Sequence, residues 1–435
     1  MKTLLINPKS ELSYPVLPLG LASLSAYLKE HGREVNIIDT WAENLSYDEL
    51  ANKVLVRKAD IIGISVMSPR FNQVEKLVET LRQNGISAKI ILGGPHVSAL
   101  PEETLKKIPG ADIAVFGEGE VTLLELIGIL EGRGNLAGVN GIAYRDQDGK
   151  ITRNEPRELI RDINSLPMPD RISFNLEQYR THPPYGRWKP YLTMITSRGC
   201  PFNCAYCSQG VFGKQLRSQK SRRVVDEIAY LINKFGLREL HFYDDDFTMD
   251  KNRAFEISQE IMRRGLKIRY SCTTRADLVD KRLLKSLKES GCWLISYGVE
   301  SGNQEILDNI NKGIKLQQIG DAFRWTREAG IKTLGFFMAG LPGDTEKTIK
   351  ETIKFSRSLK PDYICWSTLQ IFPGSELYQR RRKKPIISPE RAEEIIKKAS
   401  RNFYFQPGYI LKRLFDIRSL GDLCSYASAA REVLK

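Results

Sequence analysis

The sequence predicts an α/β protein made of two successive strand–helix regions. Three observations carry this expectation. Short apolar runs alternate with helically spaced stretches over residues 1–135, the same alternation restarts at Tyr191, and a proline-rich stretch separates the two. At 435 residues the chain is long for a single core, so two domains and a tail are expected.

In residues 1–135, strands are expected at 3–6, 35–39, 61–65, 89–92 and 113–116, with amphipathic helices at 19–29, 73–82 and 120–130. Such alternation implies a parallel, doubly wound sheet. A flavodoxin-like strand order gathers the strand carboxyl ends at a switch point, where open sheets bind ligands. The loops expected there are Asn7-Pro8, Val66-Met67-Ser68-Pro69, Gly93-Gly94-Pro95-His96 and Gly117-Glu118-Gly119. Glycine pairs let backbone approach a ligand with no Cβ in the way, so this domain is expected to hold one.

Residues 136–190 read as a hairpin over 141–154 and then a linker, with prolines at 156, 167, 169, 183, 184 and 190. Tyr179, Tyr185 and Trp188 imply that the linker packs against a domain. In residues 191–385, strands are expected at 191–196, 239–243, 268–273, 293–299, 332–338 and 363–369, with helical stretches between them. Six such units make a partial (β/α)6 barrel whose working face is built from loops at the strand carboxyl ends. Residues 386–435 read as a helical carboxyl-terminal region.

Composition narrows the class. The longest nearly apolar run, 334–341, is too short to span a bilayer, and the opening MKTLLINPK reads as a first strand, not a signal peptide. Both point to the cytoplasm. Lys and Arg number 66 against 52 Asp and Glu, a net +14, with local excess at 220–223 and 380–384. That excess reads as a solvated surface or as a match for an anionic partner: a phosphorylated small molecule, lipid headgroups or nucleic acid. Charge alone does not choose among them.

The chain has 7 cysteines. An odd count without a signal peptide favours a reduced compartment over a disulfide framework. Three of them form Cys200-Pro-Phe-Asn-Cys204-Ala-Tyr-Cys207, immediately after the first strand of the second region. Three thiolates on one loop can hold three irons of a cubane and leave the fourth iron open to a ligand. A structural zinc site normally takes four ligands, and no His or fourth Cys follows at finger spacing. His182 and His241 lie outside the loop.

The CxxxCxxC pattern, with Tyr206 before its last cysteine, resembles the signature of radical S-adenosylmethionine enzymes. Later segments agree: Phe242 to Phe247, Thr274 to Asp277, Gly298 to Gly302, Ala339 to Gly343 and Phe372 to Gly374, each at a strand carboxyl end. The resemblance implies a 4Fe–4S cluster on Cys200, Cys204 and Cys207. It places Tyr206 beside the adenine, with Phe202 and Gly340 in the same site. Asp244 or Asp245 would meet the methionyl amine, and Arg275, Glu300 and Ser301 the carboxylate or ribose.

The front domain resembles the cobalamin-binding domain of the same superfamily, on Pro18-Leu-Gly-Leu-Ala22, Gly93-Gly-Pro-His96 and Gly117-Glu-Gly-Glu120. The implied cobalamin contacts are Leu19, Gly20, Ser65, Met67, Ser68, Arg70, Gly93, Gly94, Pro95, His96, Gly117, Glu118 and Gly119. Methionine synthase-type domains carry Asp-x-His-x-x-Gly, whose His ligates cobalt, and this chain lacks it. His96 is therefore expected to wall the nucleotide-tail pocket, and residues 67–71, with Arg70, to face the lower side of the corrin.

The implied reaction is methylation of an unactivated carbon, through a 5′-deoxyadenosyl radical and methylcobalamin. A small molecule or lipid, with an anionic one allowed and nucleic acid disfavoured, is the expected substrate, and a flavodoxin or ferredoxin the expected electron donor. Oxidative cyclisation or another radical rearrangement is the nearest rival. A methylthiotransferase would ligate a second cluster with front-domain cysteines, and residues 1–199 contain none. A non-enzymatic corrinoid sensor would have no use for the triplet. Cys272, Cys292, Cys365 and Cys424 read as buried apolar residues or as ligands of an auxiliary cluster, and Arg380 to Lys384 with Phe403, Tyr404 and Phe405 as surface packing or a substrate-facing tail.

Overall fold

The computed structural model describes residues 1–10, 15–146, 148–179, 186, 188–380 and 387–414. His182, Tyr185, the basic residues 381–384 and Cys424 lie outside the described residues.

The front sheet contains β1 (Lys2–Asn7), β2 (Glu34–Asp39), β3 (Ile61–Ser65), β4 (Lys89–Gly93), β5 (Ile113–Val115), β6 (Ile142–Arg145) and β7 (Ile151–Arg153), in the order β2-β1-β3-β4-β5-β6-β7. Helices α1 (Leu19–Glu30), α2 (Tyr47–Arg57), α3 (Phe71–Gln83), α4 (Pro95–Ala99), α5 (Pro101–Lys107) and α6 (Gly119–Leu130) accompany it. Strands β1 to β5 pair in parallel. Both faces of this sheet are covered, which is why β1 is apolar at consecutive positions: Leu4 and Ile6 pack in one core layer, Leu5 in the other. The order is the flavodoxin-like one. The hairpin expected over 141–154 extends this sheet, because β6 pairs antiparallel with β5 and β7 with β6. The hairpin assigned to the linker caps the front sheet.

The second sheet is formed by β8 (Tyr191–Met194), β11 (Glu239–Phe242), β12 (Arg269–Thr274), β13 (Cys292–Glu300), β14 (Lys332–Ala339) and β15 (Tyr363–Thr368). A two-stranded ribbon, β9 (Ser197–Arg198) with β10 (Arg217–Ser218), follows β8. The helices are α7 (Ser221–Phe235), α8 (Lys251–Arg263), α9 (Lys281–Glu289), α10 (Gln304–Asn309), α11 (Leu316–Glu328), α12 (Glu346–Ser358), α13 (Glu376–Gln379), α14 (Pro389–Tyr404) and α15 (Pro407–Leu414). The six long strands are parallel in the order β15-β14-β13-β12-β11-β8, and β8 does not pair with β15. The result is an open half-barrel. Alternation sets its two faces: Phe242, Cys272, Ile295, Tyr297 and Phe337 pack outward on the helices, while Leu294, Leu334, Phe336, Tyr363 and Cys365 cluster on the inner face.

The linker fastens one domain to the other. Asp170 accepts hydrogen bonds from Ser25 Oγ and Lys29 Nζ of α1, both at 2.7 Å. Its neighbour Arg171, fully buried, pairs with Glu227 of α7 at 2.7 Å and donates to the Thr193 carbonyl at 2.9 Å. Tyr179 donates to Asp39 of β2 at 2.8 Å. Among the described residues, no helix is long and apolar enough to cross a membrane.

Candidate functional site

The cysteine loop leaves the ribbon through Gly199. This residue sits at φ +86°, and a Cβ there would lie 2.3 Å from the Gln215 carbonyl oxygen, so only glycine fits between Arg198 and Cys200. Gln209 Nε2 braces the loop by donating to the carbonyls of Cys200 at 2.6 Å and Phe202 at 2.8 Å. Cys200 and Cys204 are half-buried, Cys207 is exposed, and none is in a disulfide. Burial, then the charges of Asp246, Asp245 and Cys204, pushes the Cys200 thiol up to about 11. Burial, then the Cys204, Asp245 and Cys200 charges, pushes Cys207 up to about 12. Such a donor set becomes thiolate only against a strong positive charge. A cluster of irons supplies one, so the three residues fit the implied group.

The acidic run after β11 divides by role. Asp244 is buried and turned back toward β8: its Oδ1 accepts from Thr196 N at 3.0 Å, Thr196 Oγ1 at 2.9 Å and Ser197 Oγ. It thus braces the start of the cysteine loop, while Oδ2 has no hydrogen-bond partner. Asp245 is exposed on the rim. Asp246, which the sequence reading passed over, lies 3.9 Å from Cys200 Sγ, and burial raises its carboxyl to about 7.

Glu300 sits at φ +64°, beside a register shift between β13 and β14. A bulge of this kind re-aims a side chain, and a non-glycine residue in the left-handed region is costly enough to mark function. The carboxylate accepts from Tyr206 OH at 3.0 Å and from Lys312 Nζ at 2.9 Å. Lys312, also missed from sequence, is buried; burial opposes its charge, but the Glu300 carboxylate more than compensates and holds its pKa up. Asn311 at φ +53° and Gly313 at φ +64° turn it inward. The Asn-Lys-Gly triplet was the available signal.

Arg275 lies over the Phe202 ring at 3.7 Å, grips Asp277 with both arms at 3.0 Å and places Nη1 3.9 Å from Cys204 Sγ. Gly340, at φ +81°, has open space where a Cβ would be. Ser301 is buried, shares a 3.1 Å hydrogen bond with Thr352 of α12 and accepts from Asn303 N at 3.2 Å, so its hydroxyl is engaged at the helix. Cys272 and Cys292 are buried in the helix-side core, as apolar residues would be. Phe403 packs in that same core, and Tyr404 bonds the backbone of Ile364, so both face away from the half-barrel's inside.

On the front sheet, the loops after β3, β4 and β5 meet at one edge. Ser65, Ser68, Gly93 and His96 are half-exposed there, and Met67 and Pro95 exposed. Gly20 and Gly117 have nothing within 4 Å of where a Cβ would stand, an open cradle that suits a large planar ligand. Gly94, by contrast, is required by the protein itself: at φ +100°, a Cβ would lie 3.1 Å from the Val66 carbonyl oxygen. His96 shares a 3.0 Å hydrogen bond with Ser68 and packs on Phe71 at 4.6 Å, and burial lowers its pKa, keeping the imidazole neutral. Arg70 donates to Pro8 O at 3.1 Å and lies over Trp41, which anchors it to the neighbouring loop. The Leu19 side chain is buried in the core, leaving only its backbone near the edge.

The Glu118 side chain turns toward the other domain. Its carboxylate is buried against the half-barrel, pairing with Arg198 at 2.7 Å, with Arg217 at 2.7 Å and with Ile160 N at 2.7 Å. Glu120 takes the other arm of Arg198 at 2.6 Å. These glutamates dock the front domain onto the ribbon that leads to Cys200.

Both domains match known proteins. The radical SAM superfamily model matches residues 194–356 and the B12 binding domain model residues 9–127. The chain is 32% identical to an uncharacterised methyltransferase of Pyrococcus horikoshii, over 96% of this chain and 95% of that one. It is 30% identical to the anaerobic magnesium-protoporphyrin IX monomethyl ester cyclase of Rubrivivax gelatinosus, over 87% of this chain and 70% of the cyclase. The cobalamin-dependent S-adenosylmethionine radical enzyme OxsB, solved with aqua-cobalamin and S-adenosylmethionine, shares the fold, with TM-score 0.77, 19% identity and coverage of 99% of this chain and 71% of that one. The chain belongs to the cobalamin-dependent radical S-adenosylmethionine enzymes, a family that includes methyltransferases and cyclases and works with a 4Fe–4S cluster, S-adenosylmethionine and cobalamin.

Proposed function

We propose that this enzyme transfers a methyl group to an unactivated carbon of a small molecule or lipid. The observation that carries the reading is the end-to-end relation to a methyltransferase, joined to a cysteine loop docked on the front domain's ligand edge. Cys200, Cys204 and Cys207 would hold the cluster. Tyr206, Asp245, Arg275, Glu300 and Gly340 would line the S-adenosylmethionine site, and Gly20, Met67, Gly93 and Gly117 the cobalamin edge.

When bound, these groups supply one-electron cleavage of S-adenosylmethionine and a transferable methyl. The chain's own residues do the positioning. Asp244 holds the start of the cysteine loop through Thr196 and Ser197, and Phe202 and Arg275 stack at its side. Lys312 balances the Glu300 carboxylate and keeps it aimed at Tyr206. The inner face of the half-barrel would shield the reacting carbon once substrate is seated on it. A low-potential flavodoxin or ferredoxin would deliver electrons to the exposed side of the loop at Cys207, in the reducing cytoplasm.

The test is anaerobic turnover with methyl-labelled S-adenosylmethionine, a low-potential reductant and extracts containing candidate acceptors. Gain of a labelled methyl on a carbon supports transfer. Loss of hydrogens without methyl gain replaces it with oxidative cyclisation. The triple C200A/C204A/C207A variant should bind no cluster; iron retained there would move the cluster elsewhere.

A further inference from the structure

The half-barrel is closed at its base and open above, and the open part of its inner wall is uncharged. Strand pairing fixes which residues face inward. His241 and Ser271 share a 2.7 Å hydrogen bond across β11 and β12, and Ser296 pairs with Leu334, and Phe336 with Cys365, on the same face. At the level of His241, Ser271, Ser296 and Leu334 the inner residues are buried. One level up they are not: Thr273, Phe336 and Cys365 are half-exposed, and Tyr243, standing edge-on to His241 at 4.8 Å, is 47% exposed. Met338 and Ser367 continue this wall to the rim.

The charged side chains described above at that rim stand on β11, β12 and β13 and the turns that follow them. Arg275 and Glu300 are held by Asp277, Tyr206 and Lys312, and Asp245 stands beside them. The wall opposite, on β14 and β15, offers a phenyl ring, a thioether, a thiol and a hydroxyl. An anion entering here would lose its water with no cation on the wall to replace it. Polar contact is limited to hydroxyls, and Ser296 Oγ and Thr193 Oγ1 lie buried without hydrogen-bond partners on the same inner face.

We propose that the carbon acceptor enters the half-barrel as an uncharged, apolar carbon skeleton, an acyl chain or an aromatic ring bearing at most hydroxyl groups, seated on Tyr243, Phe336, Met338 and Cys365. The inference deepens the methyl-transfer reading and rests on it for the presence of an acceptor.

Cys365 is a built-in reporter. Holoenzyme reconstituted with iron, sulfide, hydroxocobalamin and S-adenosylmethionine is treated anaerobically with methyl methanethiosulfonate (neutral), its sulfonatoethyl form (anionic) and its trimethylammonioethyl form (cationic). Cys365 modification is followed by peptide mass mapping. The neutral reagent should label Cys365 at least about tenfold faster than either charged one, after correction for rates with free cysteine, because only the charged ones pay desolvation. Dodecanol or indole should then slow labelling, whereas phenyl phosphate should not. Protection by dodecanol alone assigns an acyl chain, and by indole alone a ring. Equal labelling by the anionic reagent, protection by phenyl phosphate, or no labelling or protection at all would overturn the proposal. The readout needs no turnover, so failure of methyl transfer and failure of the uncharged wall are separate results.

Discussion

Replacing Glu118 with Gln tests whether the front domain is docked by buried charge. The wild-type carboxylate takes Arg198 and Arg217, each at 2.7 Å, and the Ile160 amide at 2.7 Å. All the side chains are nearly dry: 3% exposed for Glu118, 10% for Arg198 and 3% for Arg217. In the variant, Arg198 keeps Glu120, but Arg217 keeps only the carbonyls of Ile160 and Phe212 and loses its carboxylate. A buried cation stripped of its counter-charge costs about 3–5 kcal/mol, far above the roughly 0–1 kcal/mol of an exposed pair. Chemical denaturation of the reconstituted enzyme should show a loss in that range. Adding Arg217→Met should restore stability, because the remaining Arg198–Glu120 pair is balanced. A loss below about 1 kcal/mol, or a double variant no more stable than the single, would refute the argument that charge burial fastens the domains.

Three further outcomes are expected. His241 is buried, and burial lowers its pKa from 6.5 to about 4, so the folded state resists a proton that the unfolded state takes up. Stability from this group is full above about pH 6.5 and falls as pH drops to 4, by about 3 kcal/mol relative to a His241→Gln variant compared across that window; a flat difference would contradict it. Gly199→Ala forces a Cβ against the Gln215 carbonyl at φ +86°, and iron content after reconstitution should drop severely while the front domain still retains corrinoid. Gly20→Leu enters open space in the apoprotein, so thermal stability should hold while hydroxocobalamin retention through desalting is lost; retained corrinoid would remove Gly20 from the cobalamin edge.

The fold was largely legible because parallel strands buried on both faces announce themselves as apolar runs, as at residues 61–65, where the expected and observed strands coincide. The cysteine loop was legible because its chemistry lies in eight consecutive residues. What stayed hidden depended on contacts distant in sequence. Lys312 reaches Glu300 only because two left-handed residues turn it inward, and Arg171 reaches Glu227 only because the linker crosses the half-barrel. The hairpin was recognised as a hairpin, but nothing in its own residues says that β6 will pair with β5. Gly94 was assigned an open ligand face on the general role of glycine, whereas the atoms its absent Cβ would strike belong to Val66.

The Gly-Glu-Gly-Glu stretch explains why a ligand motif and a docking motif were read as one. Its residues alternate in role as the chain passes from β5 into α6. Gly117, at φ +79°, leaves open space on the ligand edge, while Glu118 and Glu120 point the other way into the arginines of the ribbon. Arg198 stands two residues before Cys200, and Arg217 is its partner across the ribbon. A single run of backbone therefore shapes the corrinoid edge and fixes the start of the cysteine loop. Buried ion pairs fasten the two domains beside the linker, and the Asp170–Arg171 step adds a second contact, anchored in α1 on one side and α7 on the other.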